Sequence, residues 1–407
     1  MALGKLWVLA YRDLGRNRRR TLFSLVAVAL GLALVVTLNG FITGVWGDAL
    51  ETTIRLYTGH VQLRSDTYEA DKLSLKWDDL LANSAALAAN AEQMPEVETA
   101  TPILLAPVIL STAQDSMGLA LRGIEPSSSF YDPIRDGIVA GEFLTADDRS
   151  GIVIGKSLAD ELGLQVGSNV SLSIVNASGQ PDEAIFTVRG LFTTDVISYD
   201  EGSVFMPLTR AQAFADTGDR ASAVIILLHD EQTADRVAAA LEQPGVTAVT
   251  SDEMNRLIIE TFKTGSSFYV ILYGIVMLVV AVVIANTLLM SVFERIREMG
   301  ILASLGMKGR QIMTMILIEA GILAVLGIGV GIVLGAAFVG YLANVGFAFQ
   351  GMGAVEGFAI TSTMYAQFNP SGMISLSVWT LVIILLASLY PAWFAARLEP
   401  VEALHSL

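Results

Sequence analysis

The 407-residue sequence contains no cysteine and only three histidines. The first absence excludes any disulfide framework and any thiolate metal site, without identifying a compartment. With His60, His229 and His405 scattered along the chain, no zinc-like ligand spacing remains. Charge is also scarce: 16% of residues are charged, against about 25% in an ordinary soluble domain, while 53% are hydrophobic. The charge that is present leans to one sign, with 25 Lys+Arg against 40 Asp+Glu. An acidic surface repels phosphate, so the sequence is read as having no nucleic-acid partner. No nucleophile stands beside a base at a recognisable spacing, and the chain is expected to be a non-catalytic subunit.

Long apolar runs are what the sequence has in abundance, with a mean hydropathy of +0.58. Four runs, over residues 21–47, 264–293, 312–343 and 373–396, each exceed at 1.5 Å per residue the about 30 Å of hydrocarbon in a bilayer. The first is too long for a signal peptide and lacks a small-residue cleavage site, so it is expected to anchor the chain. It follows a basic, amphipathic stretch over 1–20, expected to lie as a helix on the membrane surface. Arg18, Arg19 and Arg20 place that end in the cytoplasm, because positive charge in short flanking segments resists translocation. The same rule puts residues 294–310 and the 397–407 tail inside, so both termini are expected to be cytoplasmic. The large segment 48–263 then lies outside, and it carries the acidic excess, 14 Lys+Arg against 33 Asp+Glu.

Within 48–263, short helical and strand-like pieces alternate. A helix over 78–93, a turn at Met94-Pro-Glu-Val97 and a strand over 103–110 are repeated weakly. The second copy is a helix over 231–241, a turn at Gln243-Pro-Gly-Val246 and a strand over 247–251. This pattern predicts two halves of one α+β module, about 48–136 and 216–263, the second with a central strand at 224–228. Between them, 137–215 is expected to be an inserted, mostly β subdomain, with strands at 151–154, 169–175, 184–188 and 203–207. Residues 252–263 are expected to continue as a helix into the second span, with 54–62 as the matching exit from the first. Segment 150–157 (SGIVIGKS) mimics a phosphate-binding loop, but its first glycine comes one residue late and its apolar middle reads as strand. Overall, the sequence predicts an α-helical membrane protein with four transmembrane helices and a large extracytoplasmic α+β domain, a porter-like module with an inserted β subdomain.

Two features inside or beside the membrane stand out. Segment 294–310 (ERIREMGILASLGMKGR) is a charged cytoplasmic loop between the second and third runs. Glu319 is a carboxylate about 13 Å along the third run from Arg310. An intramembrane acid is a functional candidate by default. A structural hydrogen bond to a neighbouring helix and a proton or substrate role are both open readings for it.

One span, a large external domain and three further spans around a charged loop resemble the MacB, LolC/LolE and FtsX permease family of ABC transporters. Gly141-Glu-Phe, residues 152–159 (IVIGKSLA) and 162–167 (LGLQVG) are similar to that family's external core. Residues 297–306 (REMGILASLG) are similar to its cytoplasmic coupling segment, and 390–404 (YPAWFAARLEPVEAL) to its C-terminal signature. The likeness covers essentially the whole chain. It implies two permease subunits, identical or different, bound to cytoplasmic ABC ATPases that hold ATP and magnesium, with no cofactor on this chain. In such a subunit 294–310 is a cytoplasmic coupling helix that docks on the ATPase through Met299, Gly300, Ile301, Leu302, Leu305 and Gly306, rimmed by Glu294, Arg295, Arg297 and Glu298. The external domain would extrude or release a lipoprotein, peptide or amphiphile at the plasma membrane. Alternatively, as in FtsX-like members, it would signal to an external partner such as a cell-wall hydrolase. MacB carries a fused ATPase, whereas no Walker A sequence occurs here, so the motor is expected on another chain. The glycine-rich 344–372 segment is longer than a simple external turn.

Overall fold

The computed structural model describes residues 12, 18–69, 72–348, 359 and 361–397. Most of the surface helix expected over 1–20, residues 349–358 and 360 of the 344–372 segment, and the tail beyond Arg397 lie outside the described residues, while Arg18, Arg19 and Arg20 begin the first membrane helix. The chain divides into two compact units. One comprises residues up to Trp46, Phe262–Phe347 and those from Tyr365 onward, and the other comprises Gly47–Thr261 with Ala348–Met364.

Among the described residues, four helices are long and apolar enough to cross a membrane: Arg18–Thr58, Arg256–Glu294, Gly309–Val345 and Pro370–Ala396. All four outlast the apolar runs expected from the sequence, because a helix continues past the hydrocarbon until a cap or a broken hydrogen-bond ladder stops it. The first ends in a π-helical turn, Ile54–Thr58, closed by Gly59. The expected helical exit over 54–62 is therefore shorter, since Val61 and Gln62 already belong to a strand. The entry to the second span also differs, as a short turn, Ser251–Met254, precedes the helix that starts at Arg256. Gly327, Gly331 and Gly335 recur every four residues on the third helix, where a Cβ would come within 3.0 Å of Val28, Ala29 or Val36 on the first. Small residues at this spacing let two backbones approach closely, which substitutes in lipid for the missing hydrophobic drive between helices.

Among the described residues, ten strands of the second unit join in one sheet. Four of them, β1 (Val61–Arg64), β2 (Val97–Ser111), β9 (Ala223–Leu228) and β10 (Thr247–Thr250), form one sheet region in the order β10-β1-β9-β2. The helices Ser84–Ala91 and Ala234–Leu241 complete two β-α-β halves, and together they bury Ala88, Ala91, Val237, Ala238 and Leu241 against Val61, Leu63, Val224 and Ile226. Two split β-α-β units in this order make a ferredoxin-like module, the form taken by the helix-turn-strand repeat of the sequence.

Between β2 and β9 comes a barrel of β3 (Ser116–Ile124), β5 (Gly151–Gly155), β6 (Asn169–Val175), β7 (Pro181–Phe192), β8 (Ser203–Pro207) and the far half of β2. β2 pairs with β3, β3 with β8, β8 with β5, β5 with β7, β7 with β6, and β6 returns to β2. Closing the sheet removes every free edge along that circuit. Alternate residues point inward, among them Leu104, Ala106, Val108, Leu110, Leu119, Leu121, Leu172, Phe186 and Met206, all buried. β4 (Ile138–Gly141) pairs with β7 outside the circuit. The barrel thus takes residues 104–124, which the sequence reading assigns to the first half. The reason is β2 itself, whose 15 residues pair through Ile103 with β9 and from Leu104 with β3, so one strand serves both sheets.

A cationic side chain lies buried where these parts meet. The Arg122 guanidinium, 7% exposed, sits 4.7 Å from the Tyr199 ring centre and 5.1 Å from that of Tyr57, and its Nε donates to Ser203 Oγ at 3.1 Å. Stacking between two rings supplies part of what hydration would have given the cation. Burial pushes the Tyr199 hydroxyl well above the ordinary tyrosine range, so it remains a donor, and it donates to the Leu56 carbonyl at 3.0 Å. The 150–157 segment is a strand running into a short helix, and a Cβ on Gly155 would meet the Asp200 carbonyl oxygen at 1.9 Å. Protein backbone occupies the place a phosphate would need, and Lys156 pairs with Asp160 at 2.6 Å.

Candidate functional site

The charged ends of the membrane helices converge on the loop between the second and third. The second helix stops at Glu294, and Arg295 leaves helical geometry with φ −119 and ψ 17 before a nine-residue helix, Ile296–Ser304, begins. That helix is terminated by Gly306 at φ 90, a left-handed conformation that costs glycine little. Gly306 N donates to Ala303 O and Met307 N to Leu302 O, each at 3.0 Å, the pair of bonds that defines a Schellman motif. Lys308 N then donates to Gln311 Oε1 at 2.9 Å and caps the third membrane helix. Sequence 294–310 is therefore a short helix held between two stops, not a single helix along its whole length.

The two faces of this helix have different tasks. Met299 and Gly300 are buried, and Met299 packs with Val292, Met307, Ile312, Met315, Ile316, Ala392 and Ala395. Leu302 is half-buried against the same cluster. Met299, read from the sequence as a docking anchor, turns inward because it falls on the helix face opposite Arg297 and Ile301. The outward row is Arg297, Ile301, Ser304, Leu305 and Lys308, with Ile301 45% and Leu305 79% exposed. From Arg297 to Leu305 that spacing of four, then three and four, is one side of the helix, and Lys308 is exposed just beyond its cap. Gly306 and Arg310 are exposed beside it, and Glu298 is half-buried.

Ion pairs tie the segment to its neighbours. Arg295, expected at the rim, is buried and lies 3.4 Å from Glu298 and 3.7 Å from Glu319, with the side chains of Arg295 and Glu319 only 10% and 5% exposed. At 3.7 Å the contact with Glu319 is Coulombic, too long for a charge-assisted hydrogen bond of about 2.7–2.9 Å. Two buried charges of opposite sign offset much of each other's desolvation, which either alone would suffer in full. Glu319 thus meets the 294–310 segment itself. Arg20 at the start of the first helix donates to Glu294 Oε2 and to Ser291 Oγ, both at 2.8 Å. Sequence reasoning does not pair Arg20 with Glu294, since nothing in the spacing of distant residues encodes it. The helix-end charges were the available signal. No cluster of metal-ligating side chains occurs among the described residues.

Comparison with known proteins gives a consistent picture. Residues 21–243 match the MacB-like periplasmic core domain, and residues 270–400 match the FtsX-like permease C-terminal region. The chain is 24% identical over 412 residues to the lipoprotein-releasing system transmembrane protein LolC of Neisseria meningitidis serogroup B, covering 94% of this chain and 93% of that protein. It is 22% identical over 408 residues to the transmembrane protein LolE of Haemophilus influenzae, covering 94% of each. To the macrolide export ATP-binding/permease protein MacB of Shewanella sp. strain W3-18-1 it is 23% identical over 420 residues, 97% of this chain but 60% of that protein. The crystal structure of the periplasmic region of MacB from Actinobacillus actinomycetemcomitans aligns with 51% of this chain and 97% of its own at a TM-score of 0.35 and 15% identity. With a core-domain match over more than half its length and a permease region after it, the chain belongs to the MacB-like periplasmic core domain family, as a transmembrane permease subunit of the ABC-transporter type.

Proposed function

We propose that this chain couples a separate cytoplasmic ATPase to its external domain. The helix Ile296–Ser304 docks on that ATPase through Ile301 and Leu305, with Arg297, Lys308 and Arg310 as a cationic rim. ATP and magnesium are held by the partner ATPase and not by this chain, and a second permease subunit completes the assembly. Both termini and the coupling helix lie in the cytoplasm, and residues 48–263 lie outside. The motion releases or extrudes a lipoprotein, peptide or amphiphile, a range supported by the lipoprotein-releasing and macrolide-export relatives.

The observation that carries this reading is the pair of exposed apolar side chains, Ile301 and Leu305, on a helix whose other face is anchored by Met299 and by Arg295 against Glu319. A loop that only enforced topology would gain nothing from presenting leucine at 79% exposure between cations. Burying each side chain in a partner groove contributes about 1.5–3 kcal/mol, or about ten- to a hundredfold in affinity. Ile301→Asp and Leu305→Asp change exposed positions and leave the fold intact. In proteoliposomes with the cognate ATPase, each is expected to remove most permease-stimulated ATP turnover. Unaltered turnover in both variants would eliminate this face as the docking site. These positions make a cleaner test than Met299 or Gly300, where a substitution would also disturb the packed interior. Stimulation of turnover by an added lipoprotein or amphiphile separates transport from signalling to an external partner.

A further inference from the structure

The two ends of the sheet in the second unit are finished differently. β10 closes one end and β4 the other. On β10 the N–H groups of Ala248 and Thr250 donate to the carboxylates of Glu242 and Glu253 at 2.8 and 3.4 Å, so side chains occupy that edge. Covering an edge in this way blocks pairing with another chain. β4 has no such cover. The Gly137 carbonyl accepts from Thr193 N, just past the end of β7, at 2.9 Å. The Ile138 N–H shares that planar, trans peptide unit and therefore points away from β7. Among the described residues no side chain bonds to the backbone of β4, which is paired on its β7 side alone. Val139 is 51% exposed, and Ala140 and Gly141 are exposed with it.

A groove of about 500 Å³ lies beside this edge. Ala140 and Leu191, opposite each other on β4 and β7, line it on the strand side. Ala159, Asp160, Leu164 and Val166 line it from the helix Lys156–Leu162 and the loop that follows. A strand laid along β4 would turn every second side chain toward the face that Ala140 and Leu191 share, where the groove receives it. Main-chain bonds to an open edge and a pocket for alternate side chains are the two requirements of binding by strand addition.

Charge selects the occupant. Residues 136–166 hold six acids, with Asp136 and Glu142 flanking β4, against two bases, Arg149 and Lys156. Arg189 on β7 pairs with both Glu142 and Asp148 and offsets one more charge, which leaves the segment acidic. Two copies of this chain pairing through β4 would bring their acidic flanks together, and like charges on adjacent strands disfavour that pairing. A basic segment meets opposite charge at both ends of the strand.

We propose that β4 takes up an extended, basic segment of a partner protein as an additional strand, with apolar side chains of that segment seated against Ala140, Leu164 and Val166. Protection against self-pairing accounts for a short strand with acidic flanks, but not for a partly apolar groove beside it. The proposal rests on the second unit alone and not on ATPase docking, so either reading can fail without the other.

The test uses the full chain in phosphatidylcholine nanodiscs, a bilayer without net charge to attract a basic peptide, with empty nanodiscs as the control. The probe is an end-blocked peptide of eight alternating lysines and valines, compared with its glutamate–valine counterpart by fluorescence anisotropy. The lysine–valine peptide is expected to bind at least about tenfold more tightly, with an affinity that falls as salt rises. Its binding is expected to slow amide hydrogen exchange in 137–142 by at least about tenfold, since the Ile138 N–H gains an acceptor. Ala140→Arg, which fills the groove and repels the peptide, is expected to abolish binding, and Asp160→Asn to weaken it. Equal affinity for the two peptides, or no binding at millimolar concentration, overturns the proposal. Binding without protection of 137–142 also overturns it, by reducing the contact to diffuse charge attraction, as does unchanged binding to Ala140→Arg. Thermal unfolding reports independently that both variants fold.

Discussion

The carboxylate of Glu319 and the guanidinium of Arg295 are charges that a low-dielectric interior penalises separately and tolerates together. Removing Glu319 takes from the buried Arg295 one of the opposite charges beside it, and breaking a pair this desolvated costs up to about 3–5 kcal/mol. Glu319→Ala alone is therefore expected to lower the thermal stability of the detergent-purified chain sharply. Arg295→Met with Glu319→Leu, which removes both charges and keeps the volume, is expected to restore most of it. If the double variant is as unstable as the single one, the pair has a role beyond mutual neutralisation, such as proton transfer. The sequence shows at this scale that an acid stands inside an apolar run, and it leaves its partner open. The partner is fixed by the break in helical geometry at Arg295, where the guanidinium lies 3.7 Å from Glu319 on the third helix.

Elements were legible where local chemistry decides them. The strands at 169–175 and 203–207 match their expected limits, the first because alternating apolar residues specify a half-buried strand and the second because a short apolar run fits a fully buried one. Strand β3 was not read, since Gly118, Arg122 and Gly123 interrupt its pattern. Packing explains Gly123, where a Cβ would meet that of Ala211 at 2.4 Å, and the aromatic sandwich explains Arg122. The helix-helix seam has the same character, as glycines in an apolar run look like weak points until the neighbouring helix is in place. Gly335→Leu is expected to cost about 1–3 kcal/mol by forcing the first and third helices apart, since its Cβ position lies 2.8 Å from Val36 Cγ1. Gly329→Ala, with nothing within 4 Å of the added carbon, serves as the control and is expected to leave the melting temperature essentially unchanged. Equal shifts in the two variants would show that the glycine seam does not set the packing.

For the whole molecule, the absence of cysteine becomes an experimental advantage, because any cysteine introduced is the only one. Ser178→Cys in the exposed turn between β6 and β7, and Ser304→Cys at the end of the coupling helix, report opposite membrane faces if the charge distribution sets orientation. With a membrane-impermeant maleimide, spheroplasts are expected to label position 178 at once and position 304 only after lysis. Labelling of 304 from outside would invert the topology and remove the coupling helix from reach of any cytoplasmic ATPase. The proposed coupling also requires a joint at the end of the first helix that enters the second unit. Tyr199 and Arg122 provide one, holding the π-helical turn at Leu56 and Tyr57 against the barrel.

By itself the sequence determined the spans, the acidic external segment, the charged loop and most of the strands, because length, hydropathy and short-range periodicity are local quantities. Tertiary structure alone decided that one long strand is shared between module and barrel, that Met299 and Arg295 face inward while Ile301 and Leu305 face out, and that Glu319 meets the 294–310 segment. It also decided that carboxylates cover the edge of β10 and leave that of β4 open. Such outcomes depend on which distant residues come within a few ångströms of each other, and a one-residue rotation of a helix or slip of a strand would change them without altering the composition of either.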